Sequence, residues 1–159
     1  MPESPVDLGG SGKRFAIVAS QFNGAITERL LVGAKQALTE HAVPDSSIDV
    51  TWVPGAFEIP LVAKTLAATG SYQAVICLGA VIRGETSHFE HVGREATAGI
   101  ASVALDTGIP VLLGVLTTET VEQALDRSGG KAGNKGYDAS LAALEMANLM
   151  ERLAARGRR

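Results

Sequence analysis

Ala74-Val75-Ile76-Cys77-Leu78-Gly79-Ala80-Val81 is the most apolar of the strand-like runs in this chain, with no charged side chain and no alternation of polar with apolar positions. Such a run suits a strand covered on both faces, the situation of a parallel sheet between helical layers. Downstream, Arg83-Gly84-Glu85-Thr86 leads into a helical pattern over about residues 87–105, closed by Gly108 and Pro110, with Ser87 and Glu90 at capping-box spacing. Upstream, residues 15–20 and 48–53 are further short strands. The first is followed by Ile26, Leu30, Ala34, Ala37 and Leu38 at helical spacing, and the second by a turn over 54–57 and a helix over 58–68 that tolerates Pro60 only in its first turn. A fourth strand over 111–116, a helix capped by Thr118 and running to about Arg127, and a last helix over 138–156 complete the pattern. Repeated strand-then-helix units imply a parallel sheet with right-handed crossovers and helices on both faces. The expected fold is a three-layer α/β/α sandwich on a four-stranded parallel sheet.

The 159 residues suit one domain. Residues 1–14, with Pro2, Pro5 and Gly9-Gly10-Ser11-Gly12, form an irregular arm, and residues 15–159 form the domain proper. Lys plus Arg number 14 against 17 Asp plus Glu, for a net charge of −3, so the broad basic field of a nucleic-acid binder is missing. No apolar run approaches the roughly 20 residues of a membrane span, and Met1-Pro2-Glu3-Ser4-Pro5 lacks the basic start of a signal peptide. A cytoplasmic location is therefore expected, in keeping with the single Cys77, read as a small buried thiol. Charged residues make up only 19% and aromatic ones 4%, so small aliphatic side chains carry the burial, and self-association is expected to cover part of the surface.

In open parallel sheets ligands bind beyond the carboxyl ends of the strands, and the unusual residues of this chain collect there. Phe22 and Asn23 follow the first strand, Gly55, Ala56, Phe57 and Glu58 the second, Arg83, Glu85, Thr86 and His88 the third, and Thr117 and Thr118 the fourth. Phe22, in a polar loop, reads as a stacking platform for a flat heterocycle or as cover for a helix end. Glu58 reads as an acceptor for a hydroxylated ligand or as a carboxylate favoured by the helix dipole. His88 is the acid–base candidate, since histidine is the side-chain type that titrates nearest neutral pH; the alternative is a solvent-facing helix residue. The backbone at Glu85-Thr86 suits an anion, and Arg127 suits a phosphate or a helix C-terminus. His88 and His91 lack the His-Glu-x-x-His spacing of a zinc site, no G-x-G-x-x-G follows the first strand, and Lys135 precedes Gly136 where a P-loop needs Ser or Thr. Metal, dinucleotide and nucleoside triphosphate chemistry are disfavoured accordingly.

Taken together, Gln21-Phe22-Asn23, Trp52-Val-Pro-Gly-Ala-Phe-Glu-Ile-Pro60, Leu78-Gly-Ala-Val-Ile-Arg-Gly-Glu-Thr-Ser-His88, Gly114-Val-Leu-Thr-Thr118 and Gly129-Gly-Lys-Ala-Gly-Asn-Lys-Gly136 resemble the lumazine synthase family, in order and from Phe15 to the last helix. The resemblance implies a flavodoxin-like fold and a cofactor-free condensation of 5-amino-6-(D-ribitylamino)uracil with 3,4-dihydroxy-2-butanone 4-phosphate. The product is 6,7-dimethyl-8-ribityllumazine, with phosphate and water released, and no metal or organic cofactor is implied. By matching position, Phe22 would stack on the pyrimidine, Ala56, Phe57 and Glu58 would hold the pyrimidine and ribityl chain, and Ala80, Val81 and Ile82 would line the ring pocket. Glu85 and Thr86 would meet the phosphate and His88 would shuttle protons. Arg127 and Lys135 would reach in from a neighbouring subunit to phosphate and ribityl groups, and Leu113 stands where some relatives place a Phe from that subunit.

The resemblance further implies a pentamer with active sites at subunit interfaces; twelve pentamers form a shell in some members, and the Gly129–Gly136 loop favours that shell over the free pentamer, with riboflavin synthase as the candidate enclosed partner. Residues Val6 to Leu8 would add a strand to a neighbour's sheet, within the limit set by Pro5. The rival readings are a non-catalytic flavin- or lumazine-binding shell protein and a flavodoxin-like regulator whose loops carry a partner interface. Intact Phe22, Glu58, His88 and Arg127 argue against the first, and the low charge content weighs against the second.

Overall fold

The computed structural model describes residues 3–158. Four parallel strands form the central sheet: β1 (Phe15–Ser20), β2 (Ile48–Val53), β3 (Ala74–Ile82) and β4 (Val111–Thr118), in the spatial order β2-β1-β3-β4. The intervening helices are α1 (Gly24–Glu40), α2 (Ile59–Ala68) and α3 (His88–Thr107), followed after β4 by α4 (Val121–Asp126) and α5 (Lys135–Gly157). The fold is the expected α/β sandwich.

Alternation along each strand divides the core in two. Phe15 and Ile17 of β1 and Ala74, Ile76, Leu78 and Ala80 of β3 meet Leu30, Ala34 and Leu38 of α1 and Ala143, Leu144 and Ala147 of α5. Ala16, Val18, Val75, Cys77 and Val81 point the other way, onto Ile59 and Ala63 of α2 and Phe89, Ala96 and Ile100 of α3. Each fully buried Leu or Ile in these layers contributes about 1.5–3 kcal/mol relative to exposure. Cys77 is one of these buried side chains, and burial pushes its thiol up to about 12, so it serves packing and not nucleophilic chemistry.

Several boundaries differ from those expected from the sequence. Thr118 does not cap a helix: it ends β4, still paired with Ile82, and its hydroxyl donates to the Thr120 carbonyl. Thr120 caps α4 instead, in a reciprocal capping box with Gln123. The box expected between Ser87 and Glu90 is absent, because Ser87 is already near helical (φ −73, ψ 6) and its carbonyl, not its hydroxyl, accepts the Glu90 N–H. Residues 56–58 form a short 3₁₀ turn, so α2 begins at Ile59. The glycine-rich segment is a small antiparallel hairpin, β5 (Ser128–Gly130) with β6 (Gly133–Asn134), and α5 starts earlier than expected because Asn134 Oδ1 accepts the N–H groups of Gly136 and Tyr137.

The arm is irregular from residue 3 to residue 14, but it is tied down. Asn148 of α5 donates to the carbonyls of Asp7 (2.8 Å) and Gly9 (3.0 Å), and Arg152 reaches the Pro5 carbonyl and the Asp7 carboxylate. The start of α5 crosses α1 so closely that a Cβ on Gly136 would collide with the Leu30 carbonyl. Gly136→Ala is expected to cost about 1–3 kcal/mol in denaturant unfolding, as overpacking does. Gly157→Ala, which meets open space at the far end of the same helix, should stay within about 0.5 kcal/mol of wild type. Equal stability of the two variants would mean that α1 and α5 do not approach this closely.

Candidate active site

The sheet leaves one of its interior edges unfinished. β1 pairs with β3 only as far as Ala19 opposite Leu78, then turns away at Gln21, whereas β3 continues beside β4 until Ile82. From Gly79 onward the β1 side of β3 therefore has no strand against it. Peptide groups of successive strand residues point to opposite edges. Val75 and Arg83 donate toward the β4 side, to Pro110 and Thr118, so Ala80 and Ile82 present theirs to the open edge.

A cavity of about 630 Å³, within the range of small-molecule sites, lies over this edge. Phe22 closes it from the β1–α1 corner, Pro54 to Glu58 from the end of β2, Ala80, Val81 and Ile82 from β3, and His88, Phe89, His91, Val92 and Glu95 from the first turns of α3. The corner is stitched to the β2 side by the N–H groups of Gln21 and Phe22, which donate to the carbonyls of Val53 (2.8 Å) and Pro54 (3.0 Å). Phe22 and Phe57 are 73% and 60% exposed, so neither covers a helix end or fills a core.

Eight of the residues expected at the site come together here: Phe22, Ala56, Phe57, Glu58, Ala80, Val81, Ile82 and His88. Glu58 stands at the N-cap of α2 but makes no capping bond, which leaves its carboxylate free beside a positive helix end. Glu85 and Thr86 are exposed on the β3–α3 loop outside the lining, where the Thr86 hydroxyl accepts the His88 N–H at 3.3 Å. Arg127, Lys135 and Leu113 do not reach the cavity of their own chain. Arg127 follows α4 and donates to the Gln123 carbonyl, Lys135 begins α5 with its N–H on the Arg127 carbonyl, and Leu113 is 44% exposed on β4, an outer strand.

Pro54, Phe89, Val92 and Glu95 were not foreseen as lining, and His91 was weighed only as a metal ligand. For His91, Val92 and Glu95 the signal lies in the spacing after His88, since positions three, four and seven residues on share its helix face, whereas no spacing marks Pro54 or Phe89. Arg83 braces this wall: its guanidinium lies 5.3 Å from the centre of the Phe89 ring and 3.3 Å from the Glu119 carboxylate. The Tyr72 hydroxyl, followed by Arg14, holds Asp49 below the usual carboxylate range, and the hydroxyl of Tyr137, followed by the amide of Gln36, does the same for Glu40. Among the described residues no three His, Cys, Asp or Glu side chains converge as metal ligands would, and no helix is long and apolar enough to cross a membrane.

The family model described as 6,7-dimethyl-8-ribityllumazine synthase matches residues 12–151. The chain belongs to that family. A curated protein of Desulfotalea psychrophila named 6,7-dimethyl-8-ribityllumazine synthase is 58% identical over 147 residues, which cover 92% of this chain and 95% of that one. As a member of the lumazine synthase family, a family of riboflavin biosynthesis, the chain is an enzyme.

The open wall of the cavity and its exposed aromatic cover suit a flat ring. Phe22→Ala should weaken binding of a lumazine about tenfold, the scale of a lost aromatic contact, without lowering the melting temperature. Unchanged affinity would remove Phe22 from the binding surface.

Proposed function

We propose that the chain condenses 5-amino-6-(D-ribitylamino)uracil with 3,4-dihydroxy-2-butanone 4-phosphate to 6,7-dimethyl-8-ribityllumazine. The observation that carries this reading is the unpaired edge of β3 beneath Phe22. A pyrimidinedione alternates N–H and C=O along its rim, and an unpaired strand edge offers the complementary groups. In this reading the ring lies against Ala80, Val81 and Ile82 with Phe22 over its face, Ala56 and Phe57 confine it, and Glu58 accepts hydrogen bonds from ribityl hydroxyls.

The 5-amino nitrogen attacks the ketone carbon and the carbonyl oxygen leaves as water. Loss of phosphate then generates a new carbonyl, which the ribityl-bearing nitrogen attacks, and a second water leaves as the ring closes. His88, at the start of α3 and on the cavity wall, moves the protons between nitrogen and departing oxygen. Holding two substrates in line supplies much of the acceleration. No metal or organic cofactor takes part.

Glu85 and Thr86 stand beside His88 at the end of the cavity where the phosphate would leave. Arg127 and Lys135, joined through one backbone hydrogen bond and turned away from their own cavity, complete the site of a neighbouring copy at the phosphate and ribityl groups, with Leu113 as part of its wall. Exposed Leu113, Val121 and Leu125 near that corner support an interface there. A ring of five copies lets every cavity receive this corner, and twelve such rings make the larger shell. The arm, held to its own chain at Pro5, Asp7 and Gly9, leaves Val6 72% exposed to meet a neighbour's sheet. Such an assembly operates in the cytoplasm.

Mixing the purified chain with both substrates should form lumazine faster than a protein-free control, with saturation in each substrate. A rate equal to the control, with tight product binding, would overturn the synthase reading in favour of a carrier. His88→Ala should lose turnover about a hundredfold, the lower end of acid–base contributions, and Arg127→Ala should chiefly weaken the butanone phosphate. Co-refolded in equal amounts, these two variants should regain activity at about a quarter of their interfaces, as a head-to-tail ring requires. No recovery would place both residues in one chain's site.

A further inference from the structure

We infer that Asn23 is a positioning residue for the pyrimidine: its carboxamide fixes the Phe22 platform against the open edge of β3 and selects which peptide group of that edge meets the ring. Asn23 occupies the left-handed region (φ 56, ψ 41), one of two non-glycine residues at positive φ among the described residues. Asparagine tolerates this conformation better than most side chains. It stands at the N-cap of α1, where an Asn side chain ordinarily accepts an N–H of the first turn, yet it makes no such bond. Instead its Nδ2 donates to the carbonyl of Ala80 at 3.0 Å, across the cavity's base to a residue 57 positions away.

Two consequences follow from that diverted side chain. The backbone bonds of Gln21 and Phe22 tie the corner only to the β2 side, and Phe22 is too exposed for packing to hold it, so the Asn23 carboxamide is the link from the platform to β3. It also occupies the Ala80 carbonyl, which leaves the Ile82 peptide group, two residues on and facing the same edge, to recognise the ring. The carboxamide thereby sets both the height of the aromatic cover and the register of the ligand along the strand. This inference rests on the synthase reading.

The test compares Asn23→Gly, which keeps the left-handed backbone and deletes the donor, with Asn23→Asp, which keeps size and backbone preference but turns an acceptor toward the Ala80 carbonyl. Steady-state kinetics with each substrate varied in turn should show KM for the ribitylaminouracil raised about tenfold in the Gly variant, the scale of one lost hydrogen bond, and further in the Asp variant. KM for the butanone phosphate should stay within about twofold of wild type, because its contacts lie at the α3 end. A merely structural role would lower the melting temperature and affect both substrates alike. That result, or an unchanged pyrimidine KM in whichever variant folds, would overturn the positioning role. Failure of the wild-type chain to form lumazine would instead strike the synthase reading, and direct titration of the ribitylaminouracil then tests Asn23 by the same affinity ratio between variants.

Discussion

The departure of β1 from β3 after Leu78 is the constraint on which the rest of the molecule depends. A buried parallel strand normally spends both edges on its neighbours, and peptide groups left unpaired in an apolar interior are costly. Here the unpaired length lies at the carboxyl end of the sheet, beneath a loop, where a ligand can satisfy it. Gly79 marks the point of divergence: a Cβ there would collide with the Ser20 hydroxyl, so the two strands can lie this close only with glycine at that position. The Ser20 hydroxyl is itself buried without a partner.

The remaining elements hold that edge in place. α1 and α5 cover one face of β3, with glycine at their crossing, and α2 and α3 cover the other, where Gly99 lets α3 close on Pro60. The start of α3 then doubles as packing and as site: Phe89 is in the core, while His88, His91 and Glu95 face the cavity. Arg83 joins the β3–α3 loop to the β4–α4 loop through Glu119 and the Thr118 carbonyl, and so steadies the segment between the cavity wall at Ile82 and the exposed Glu85-Thr86 loop. The chemistry rests on a scaffold whose hydrogen bonds run between strand ends.

Much of this was legible in the sequence because hydrophobic burial writes itself as periodicity. The apolar run around Cys77 named the central strand, and Ile26, Leu30, Ala34 and Leu38 named the buried face of α1. The cavity-lining residues Phe22, Glu58 and His88 stand out in the sequence as unusual residue types at strand ends. Local hydrogen bonding was harder to read: Ser87 and Thr118 carry good capping side chains, but strand pairing and local backbone geometry placed the caps otherwise. The extent of β3 beyond β1 was not legible at all, since it depends on pairing between segments about sixty residues apart and not on either sequence alone. Lys135 and Leu113 enter by resemblance only, Arg127 also as a guanidinium suited to a phosphate or to a helix C-terminus, and a single chain leaves all three outside its cavity.

A crystal structure of the assembled protein with bound 6,7-dimethyl-8-ribityllumazine tests the central claim most directly. The account predicts the pyrimidine rim of the ligand within hydrogen-bonding distance of the Ile82 peptide group, its face under Phe22, and the Asn23 to Ala80 bond intact. A ligand held elsewhere, or a ring whose polar rim avoids the open edge of β3, would contradict it.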